Sequence, residues 1–179
     1  KHVEACILMA KKNIPFLVEK PLSNNNKNIS KLLSLVKKNN LKFYVGYMLR
    51  FHPQSIKLYN LIKNKKLLGT IFNVSINVNS YMPNWHKYES YKDLYASNFN
   101  LGGGVILTEC HEIDLMNFFF SKPKIMFSYG KKLSNLSLNV EDNALSIFKY
   151  NYNKKSFMCS LQTSFVQKSN YRTIVILSD

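Results

Sequence analysis

A chain of 179 residues with 46% hydrophobic residues is long enough to bury the core of one or two small domains, and no apolar run approaches the roughly 20 residues of a membrane-spanning helix. The formal net charge of +15 suggests nucleic-acid binding, but all but two of the 25 basic residues are lysines, whereas bidentate phosphate contacts favour arginine. We therefore expect a solvated lysine surface that can still attract anionic ligands, and no nucleic-acid partner.

The first part of the chain alternates between helical and strand patterns. Apolar residues at helical spacing predict a helix over residues 3–12, and residues 16–18 predict a short buried strand. A second helix is predicted over residues 24–40 and a second strand over residues 43–47. Strands joined by a crossover helix pair in parallel, so this part is predicted to be an α/β arrangement, a parallel sheet covered by helices.

The rest of the chain follows a different order. A helix is predicted over residues 53–66, and the aromatic, polar segment 81–100 is predicted to be a lid or substrate loop and not part of a core. Residues 105–120 predict a single apolar helix. Residues 71–78 alternate as a half-buried strand with Phe72, Val74, Ile76 and Val78 on one face. Later strands are predicted at residues 125–130, 144–150, 156–164 and 172–177. A helix over several antiparallel strands makes an α+β domain with a mainly antiparallel open sheet.

The cysteines and acidic residues do not predict a metal site. Cys6, Cys110 and Cys159 lie at wide, irregular spacings, which favours reduced thiols over a disulfide framework or a zinc site. Residues 109–112 place Glu, Cys, His and Glu in succession, so their side chains fan around a helix and no bound metal is expected. The chain opens without the apolar core of a secretory signal, and we expect a cytoplasmic protein.

Two short segments carry residues suited to proton transfer. The glycine run Gly102–Gly104 opens the predicted helix, in which Thr108 and His111 lie one turn apart on one face. Earlier in the chain, a buried apolar run ends with Lys20 held directly before a proline. A lysine at a strand end and a histidine on a helix can act together on one hydroxyl or carbonyl group. Taken separately, the lysine could be an ordinary surface residue, and the histidine could be bonded to the backbone.

These segments, in this order, resemble the glucose-fructose oxidoreductase / inositol dehydrogenase / MocA family of NAD(P)-dependent dehydrogenases. Residues 1–22, from Lys-His-Val-Glu-Ala to Val-Glu-Lys-Pro-Leu, are similar to the family's helix, turn and Glu-Lys-Pro strand. Residues 46–53 resemble its crossover into the second domain. Residues 84–96, followed by the glycine run and His-Glu-Ile-Asp, resemble a sugar-processing branch. The likeness extends over nearly the whole chain.

The resemblance implies a Rossmann remnant, residues 1–48 being the C-terminal part of an NAD(P)-binding domain, followed by an incomplete α+β substrate-binding and oligomerisation domain at residues 49–179. It implies an oxidoreductase of sugar metabolism that transfers hydride between NAD or NADP and a hydroxyl or keto carbon of a sugar or sugar-nucleotide. Lys20 and His111 would be the catalytic pair, and Glu19–Pro21 would lie at the cofactor. Family members commonly associate through the open sheet face, so a homodimer or homotetramer is expected.

The resemblance also places substrate-binding groups at Thr108, Trp85, His86, Tyr88 and Arg50. The aromatic groups suit sugar stacking or hydroxyl binding, although a packing role is equally consistent with the sequence. Arg50 suits a phosphate or carboxylate on a ligand, or an acidic neighbour in the protein. The commonest family pattern has an aspartate where this chain has Thr108, and threonine can form hydrogen bonds but cannot ionise. That difference keeps open an alternative, a non-catalytic sugar or nucleotide-sugar binding protein that retains the fold.

The phosphate-cradling turn Gly-x-Gly-x-x-Gly does not occur in the 179 residues. In the family this turn precedes the first helix of the present chain, so the resemblance implies a fragment cut at its N-terminus. The chain also stops inside or directly after a strand, which is compatible with a cut C-terminus. Such a fragment is expected to be inactive alone.

Overall fold

The computed structural model describes residues 2–179, apart from the side chains of residues 65 and 66. The chain divides into two compact units, Lys1–Met48 and Leu49–Asp179. Within residues 2–179, every helix is too short or too polar to cross a membrane.

The first unit is a parallel strand pair with two helices. Helix α1 (His2–Lys11) leads to strand β1 (Phe16–Val18), helix α2 (Ile29–Lys38) and strand β2 (Phe43–Val45). The strands pair in parallel, as predicted, with both ending at the same edge. The apolar spacing of α1 gives it one buried face, and the core of the unit consists of Val3, Cys6, Ile7, Ala10 and Leu32.

Helix α2 begins at Ile29, later than the predicted residue 24. Before it, the Ser23 hydroxyl accepts a hydrogen bond from the Asn25 backbone N–H (3.3 Å), and Asn25 Oδ1 accepts one from the Lys27 N–H (2.8 Å). Asn28 then takes a left-handed conformation, with φ of 62°. Short polar side chains satisfy the backbone here and compete with the helix, so the prediction was wrong for residues 24–28.

The second unit begins with helices α3 (Pro53–Lys63) and α4 (Lys65–Leu68) and the long strand β3 (Ile71–Tyr81). Helices α5 (Val105–Thr108) and α6 (His111–Phe120) follow the segment 82–104. The chain then forms four strands, β4 (Lys124–Lys131), β5 (Asn143–Tyr152), β6 (Lys155–Ser164) and β7 (Val166–Ser178). The predicted helix over residues 53–66 is therefore two helices, because Asn64 (ψ of 89°) interrupts it.

The five strands form one sheet in the order β4-β5-β6-β3-β7. The β3–β6 pair is parallel and the other three pairs are antiparallel, so the sheet is mixed but mainly antiparallel. Helix α6 covers one face. Its apolar residues belong to a core that includes Leu115, Met116, Phe119 and Phe120 of the helix and Val74, Ile76, Tyr150, Cys159 and Leu161 of the sheet.

Strand β3 changes face near its start. Val74, Ile76 and Val78 are buried as predicted, but Phe72 is 58% exposed and Ile71 is buried instead. The pairing of β3 with β7 shifts its register between Ile71 and Asn73. A register irregularity reverses the alternation of side chains, so the prediction for Phe72 was wrong.

The segment predicted as one helix over residues 105–120 forms α5 and α6 with a turn between them. Glu109 has φ of −94° and ψ of 32°, and a positive ψ turns the following backbone away from the helical path. The apolar pattern continues across this turn, so periodicity could not reveal it. The two-residue break, Glu109–Cys110, separates Thr108 from His111.

The aromatic segment 81–100 is partly core. It folds as short 3₁₀ turns, at Met82–Asn84, Tyr91–Asp93, Tyr95–Ser97 and Phe99–Leu101. Met82 and Ala96 are fully buried in an apolar cluster with Val105 and Phe165. The prediction of a loop outside the core was therefore wrong for these residues, because their small or flexible side chains fill space beside α5.

Candidate functional site

Lys20 lies directly after the carboxyl end of β1, beside the end of β2. The carboxyl ends of parallel strands form the edge at which open α/β sheets bind ligands. The Gly46 N–H donates to the Val18 carbonyl (2.8 Å) and joins the two strand ends. Lys20 is half-buried and Glu19 is exposed. The Glu19–Lys20–Pro21 segment thus lies at the carboxyl edge of the parallel strand pair.

The backbone directly after Lys20 is held by contacts within the first unit. The Lys20–Pro21 peptide bond is cis. The Pro21 carbonyl oxygen lies 3.0 Å from Nδ1 of His2, which donates when it carries the proton. Leu22 packs against the apolar core of the unit. These contacts fix the turn in which Lys20 sits.

The glycine run before α5 is packed against protein. A Cβ on Gly103 would lie 2.5 Å from the Tyr95 carbonyl oxygen, and a Cβ on Gly104 would collide with the Glu141 carboxylate. Gly104 has φ of 107° and ψ of 151°, a region essentially restricted to glycine. Glu141 also accepts hydrogen bonds from the backbone N–H groups of Val105 (3.1 Å) and Ile106 (3.3 Å). Gly104 therefore leaves room for Glu141 to pack against the start of α5 and accept hydrogen bonds from its first backbone N–H groups.

Thr108 and His111 lie on either side of the turn between α5 and α6. Both are buried, and His111 is 9% exposed. The Asp114 N–H donates to the Cys110 carbonyl (3.1 Å), which begins the hydrogen-bond ladder of α6. The prediction that Thr108 and His111 share one face of a continuous helix was wrong, since Glu109 breaks the helix. His111 instead occupies the first position of a new helix.

The turn before His111 is joined to the far end of the chain by ion pairs. Arg172 on β7 places Nη2 2.9 Å from Glu109 Oε2 and Nε 3.0 Å from Glu112 Oε1. The Glu112 side chain is only 1% exposed. Sequence reasoning gave Arg172 no role, because the pairing partners are some sixty residues apart in the chain.

A second ion pair reaches Asp114, also in the first turn of α6. Arg50 forms a bidentate pair with Asp114, with Nε 2.7 Å from Oδ2 and Nη2 2.6 Å from Oδ1. The guanidinium also lies over the Phe118 ring, 5.1 Å from its centroid. The sequence allowed Arg50 to bind either an anionic group of a ligand or an acidic neighbour in the protein. The structure shows the acidic neighbour, Asp114, and a substrate-binding role for Arg50 stays a prediction.

A signal for this network is visible in the sequence. Arg50 and Arg172 are the only arginines, and three of the ten acidic residues fall at Glu109, Glu112 and Asp114. Arginine suits carboxylate pairing that lysine cannot reproduce. In a lysine-rich chain, two retained arginines and an acidic cluster indicate specific ion pairs.

The predicted aromatic substrate groups differ in their surroundings. Trp85 packs edge-on against Phe165, with ring centroids 5.1 Å apart, and its Nε1 donates to the Ser80 hydroxyl (3.0 Å). His86 Nδ1 lies 2.6 Å from the Tyr88 hydroxyl, and Tyr88 is 82% exposed. Trp85 thus has a packing role, whereas His86 and Tyr88 present polar groups at the surface.

Asp142, next to Glu141, is a fully buried carboxylate that fixes the loop before β5. It accepts hydrogen bonds from the Ser134 hydroxyl, the Leu133 N–H (2.8 Å), Asn143 Nδ2 (2.8 Å) and the Ser134 N–H (3.1 Å). Burial by itself raises the pKa of Asp142, but the hydrogen bonds together hold the pKa below its ordinary value. Asp142 is a structural anion in the second unit. Across residues 2–179, no three His, Cys, Asp or Glu side chains gather as a potential metal site.

The chain matches the model of one protein family and is similar to an oxidoreductase of known sequence. Residues 56–178 match the GFO/IDH/MocA C-terminal domain. The chain is 25% identical over 130 residues to YteT of Bacillus subtilis (strain 168), whose name describes a candidate oxidoreductase. That match covers 72% of this chain and 30% of YteT.

Two solved structures illustrate the likeness in fold. GenD2 from gentamicin A biosynthesis, in complex with NAD, superposes with a TM-score of 0.81 at 17% identity, over 99% of this chain and 49% of GenD2. The WlbA dehydrogenase from Bordetella pertussis, in complex with NADH and UDP-GlcNAcA, gives a TM-score of 0.81 at 16% identity, over 99% of this chain and 53% of WlbA. The chain spans about half the length of these proteins.

Proposed function

This chain belongs to the GFO/IDH/MocA family, and we propose that the full-length protein is an NAD(P)-dependent oxidoreductase. It would transfer hydride between the nicotinamide and a hydroxyl or keto carbon of a sugar or sugar-nucleotide. The observation that carries the proposal is a buried histidine, His111, at the first position of α6 within the matched domain. Lys20, at the carboxyl edge of the parallel strands, is its proposed partner.

His111 is the proposed general acid and base. An imidazole can take the proton of a substrate hydroxyl near neutral pH and return it in the reverse direction. Burial limits the access of bulk water, so the proton would pass between the substrate oxygen and the ring. Thr108, also buried, can hydrogen-bond a hydroxyl but cannot take its proton. Proton transfer therefore falls to His111.

Lys20 is the proposed donor to the reacting oxygen. Its ammonium group can hydrogen-bond a hydroxyl or carbonyl and stabilise negative charge that develops on the oxygen. The half-buried position and the fixed Pro21 turn would hold this group in place. Lys20 belongs to the first unit and His111 to the second, and their joint action is part of the proposal.

The edge formed by β1 and β2 fits the nicotinamide end of a dinucleotide. It offers the Glu19–Pro21 segment beside Gly46, where an added Cβ would lie 3.5 Å from the Val18 carbonyl oxygen and 3.6 Å from the Glu19 carboxylate. When bound, NAD or NADP supplies the hydride acceptor or donor. Glu19, Lys20 and Pro21 are the residues proposed to hold that end.

We infer an anionic substrate, with a nucleotide sugar as the favoured class. WlbA was crystallised with UDP-GlcNAcA, and the net charge of +15 on this chain would attract such a ligand. His86 and Tyr88 are the groups best placed to meet sugar hydroxyls, since both are accessible. Trp85 and Arg50 already engage Phe165 and Asp114, so their direct contact with substrate ranks lower.

The test uses the full-length protein with NAD or NADP and a panel of UDP-GlcNAcA, a neutral UDP-sugar and a free sugar. Turnover is expected with a nucleotide sugar, and His111→Ala and Lys20→Ala should each lower kcat by roughly 10²- to 10⁴-fold, since each removes a proton-transfer or donor group. Cofactor absorbance measures the rate. His52→Ala, which alters an exposed helix cap, is the matched control.

The same assay separates the alternative of a non-catalytic binding protein. Thr108 at the position of the family's aspartate is the feature that favours it. Saturable binding of UDP-GlcNAcA by calorimetry, with no cofactor reduction by the wild-type protein, would contradict the oxidoreductase and support the binding protein.

We also infer a cytoplasmic location. Cys6, Cys110 and Cys159 are buried, and none of them forms a disulfide in the described part of the chain. Buried thiols of this kind are typical of a reducing compartment.

Association through the open sheet face is proposed as well. The strands expose a row of large apolar side chains on the face opposite α6, namely Phe127, Tyr129, Leu145, Met158, Tyr171, Val175 and Leu177. Soluble monomers rarely expose apolar patches of this extent. Met158→Lys combined with Val175→Lys should shift the light-scattering mass of the full-length protein from oligomer to monomer. A monomeric wild-type protein would contradict the proposal.

A further inference from the structure

We propose that Arg172 is a positioning residue for His111, acting through Glu109 and Glu112. This inference rests on the proposed role of His111 in hydride transfer. Arg172 would touch neither cofactor nor substrate. Its task would be to hold the turn Glu109–Cys110, and with it the first residue of α6, at a fixed place over the sheet.

The position of Arg172 in the sheet supports this role. In the register of β7 against β3, Arg172 lies opposite Val78, which is buried beneath α6. Residues opposite each other in an antiparallel pair project from the same face, so Arg172 projects from the face that carries the helix. The sheet thus presents a guanidinium directly to the turn before His111.

The two carboxylates bracket His111 in the chain. Glu109 lies in the turn before it and Glu112 directly after it, and one guanidinium reaches both, at 2.9 Å and 3.0 Å. The planar fork of arginine fixes the relative positions of two acceptors, which a lysine ammonium cannot do. The backbone on both sides of His111 is therefore tied to a single point on β7.

Burial makes this contact costly to lose. Arg172 itself is 46% exposed, and an exposed ion pair alone contributes little. Glu112, however, is 1% exposed, and removing a cation that faces a buried carboxylate is strongly unfavourable. The turn would relax toward water to recover solvation, and His111 would move with it.

Two other contacts to α6 involve its first turn and its C-terminal end. Arg50 pairs with Asp114, and Lys63 donates to the Phe119 carbonyl near the C-terminal end (3.3 Å). Asp114 lies three residues after His111, whereas the two carboxylates that Arg172 binds stand on either side of the histidine. Loss of Arg172 should therefore displace the histidine more than the rest of α6.

The experiment compares Arg172→Met, Arg172→Lys and the control Lys168→Met in the full-length protein. Lys168 is an exposed cation on the same strand, so its variant removes an equal charge. The first readout is the histidine ring C–H signals by NMR without substrate, with the His111 signal assigned by His111→Gln. The second is kcat and the KM for NAD, with UDP-GlcNAcA as the probe substrate.

In Arg172→Met we expect the His111 signal to move while the signals of His2, His52 and His86 stay. We expect kcat to fall about 100-fold, the loss typical of a catalytic group displaced by about 1 Å, with an unchanged KM for NAD. The kcat and the His111 signal of Arg172→Lys should lie between those of Arg172→Met and wild type, and those of Lys168→Met should match wild type. In a Glu109→Gln, Glu112→Gln background, Arg172→Met should lower kcat only slightly further, because the partners of Arg172 are already altered.

The outcomes separate this inference from the proposed function. An unmoved His111 signal in Arg172→Met would overturn the positioning role, as would a kcat loss explained entirely by a smaller folded fraction. If Arg172→Met does not fold, a wild-type His111 signal and kcat in Arg172→Lys would overturn it equally. A displaced His111 signal in a protein that never reduces NAD would support the contact and defeat the proposed activity.

Discussion

Lys20 and His111 are held by different kinds of structure. Lys20 follows a three-residue strand, and the turn after it contacts the His2 side chain and the apolar core of the first unit. His111 is buried at the start of α6, and Glu109 and Glu112 on either side of it form ion pairs with Arg172 on a strand near the end of the chain. The first arrangement is local and the second is long-range. Substitutions far from the candidate site should therefore damage the His111 region and spare the Lys20 region.

Adding a methyl group to one glycine in each region should give the largest difference. A Cβ at Gly104 would collide with Glu141 and would occupy a backbone region essentially restricted to glycine, whereas a Cβ at Gly46 meets only ordinary contacts. We expect Gly104→Ala to lower the free energy of unfolding by about 3 kcal/mol and Gly46→Ala by about 0.5 kcal/mol.

Urea unfolding followed by far-UV circular dichroism measures both variants. The fluorescence of Trp85, the single tryptophan among these 179 residues, reports on the second unit. Equal losses in the two variants would mean that the glycine run is not held as tightly as its contacts with Glu141 indicate.

Acid should weaken the second unit through Asp142. The pKa of this carboxyl is lower in the folded protein than the ordinary value near 3.9, so its stabilising contribution is present above that value. The contribution is lost as the pH falls through the lower folded pKa. Asp142→Asn should therefore cost roughly 2 kcal/mol at pH 7 and much less in strong acid.

Trp85 fluorescence in urea, at pH 7 and at pH 3, compares wild type with Asp142→Asn. Convergence of the two stabilities toward low pH is the expected result. Stability curves that stay parallel over this range would show that Asp142 contributes nothing through its charge.

Thiol reactivity should reveal a smaller difference between the units. Burial raises the pKa of Cys159 to about 12 and also raises the pKa of Cys6. Only the thiolate reacts, and the first unit has the smaller core, so we expect iodoacetamide at pH 8 to modify Cys6 roughly tenfold faster than Cys159. Peptide mass spectrometry gives both rates, and labelling in urea is the control. Faster modification of Cys159 would contradict this order.

Much of the fold could be predicted from periodicity, because periodicity is a local property. The apolar spacing in α1 and the apolar run at Phe16–Val18 correspond to elements found in the structure. Errors occurred where another contact overrides the pattern: asparagine side chains before α2, a register shift at Phe72, and the turn at Glu109. The apolar pattern continues through Phe72 and across Glu109, whereas residues 24–28 are all polar.

The residues of the candidate site also differ in whether local sequence could reveal them. Lys20 and His111 could be singled out because a strand-end lysine and a helix histidine are suited to proton transfer. Arg172 could not be placed beside them, because its position depends on the pairing of β7 with β3, which a single sequence does not encode locally. The acidic cluster at 109–114 and the scarcity of arginine were the available signals.

A comparison of two reaction rates shows whether His111 handles the proton during hydride transfer. Reduction of NAD by the full-length protein with UDP-GlcNAcA is measured for wild type and His111→Gln at equal folded fractions. We expect measurable turnover by wild type and a loss of at least about 100-fold in His111→Gln. Equal rates in the two proteins would show that His111 does not transfer the proton.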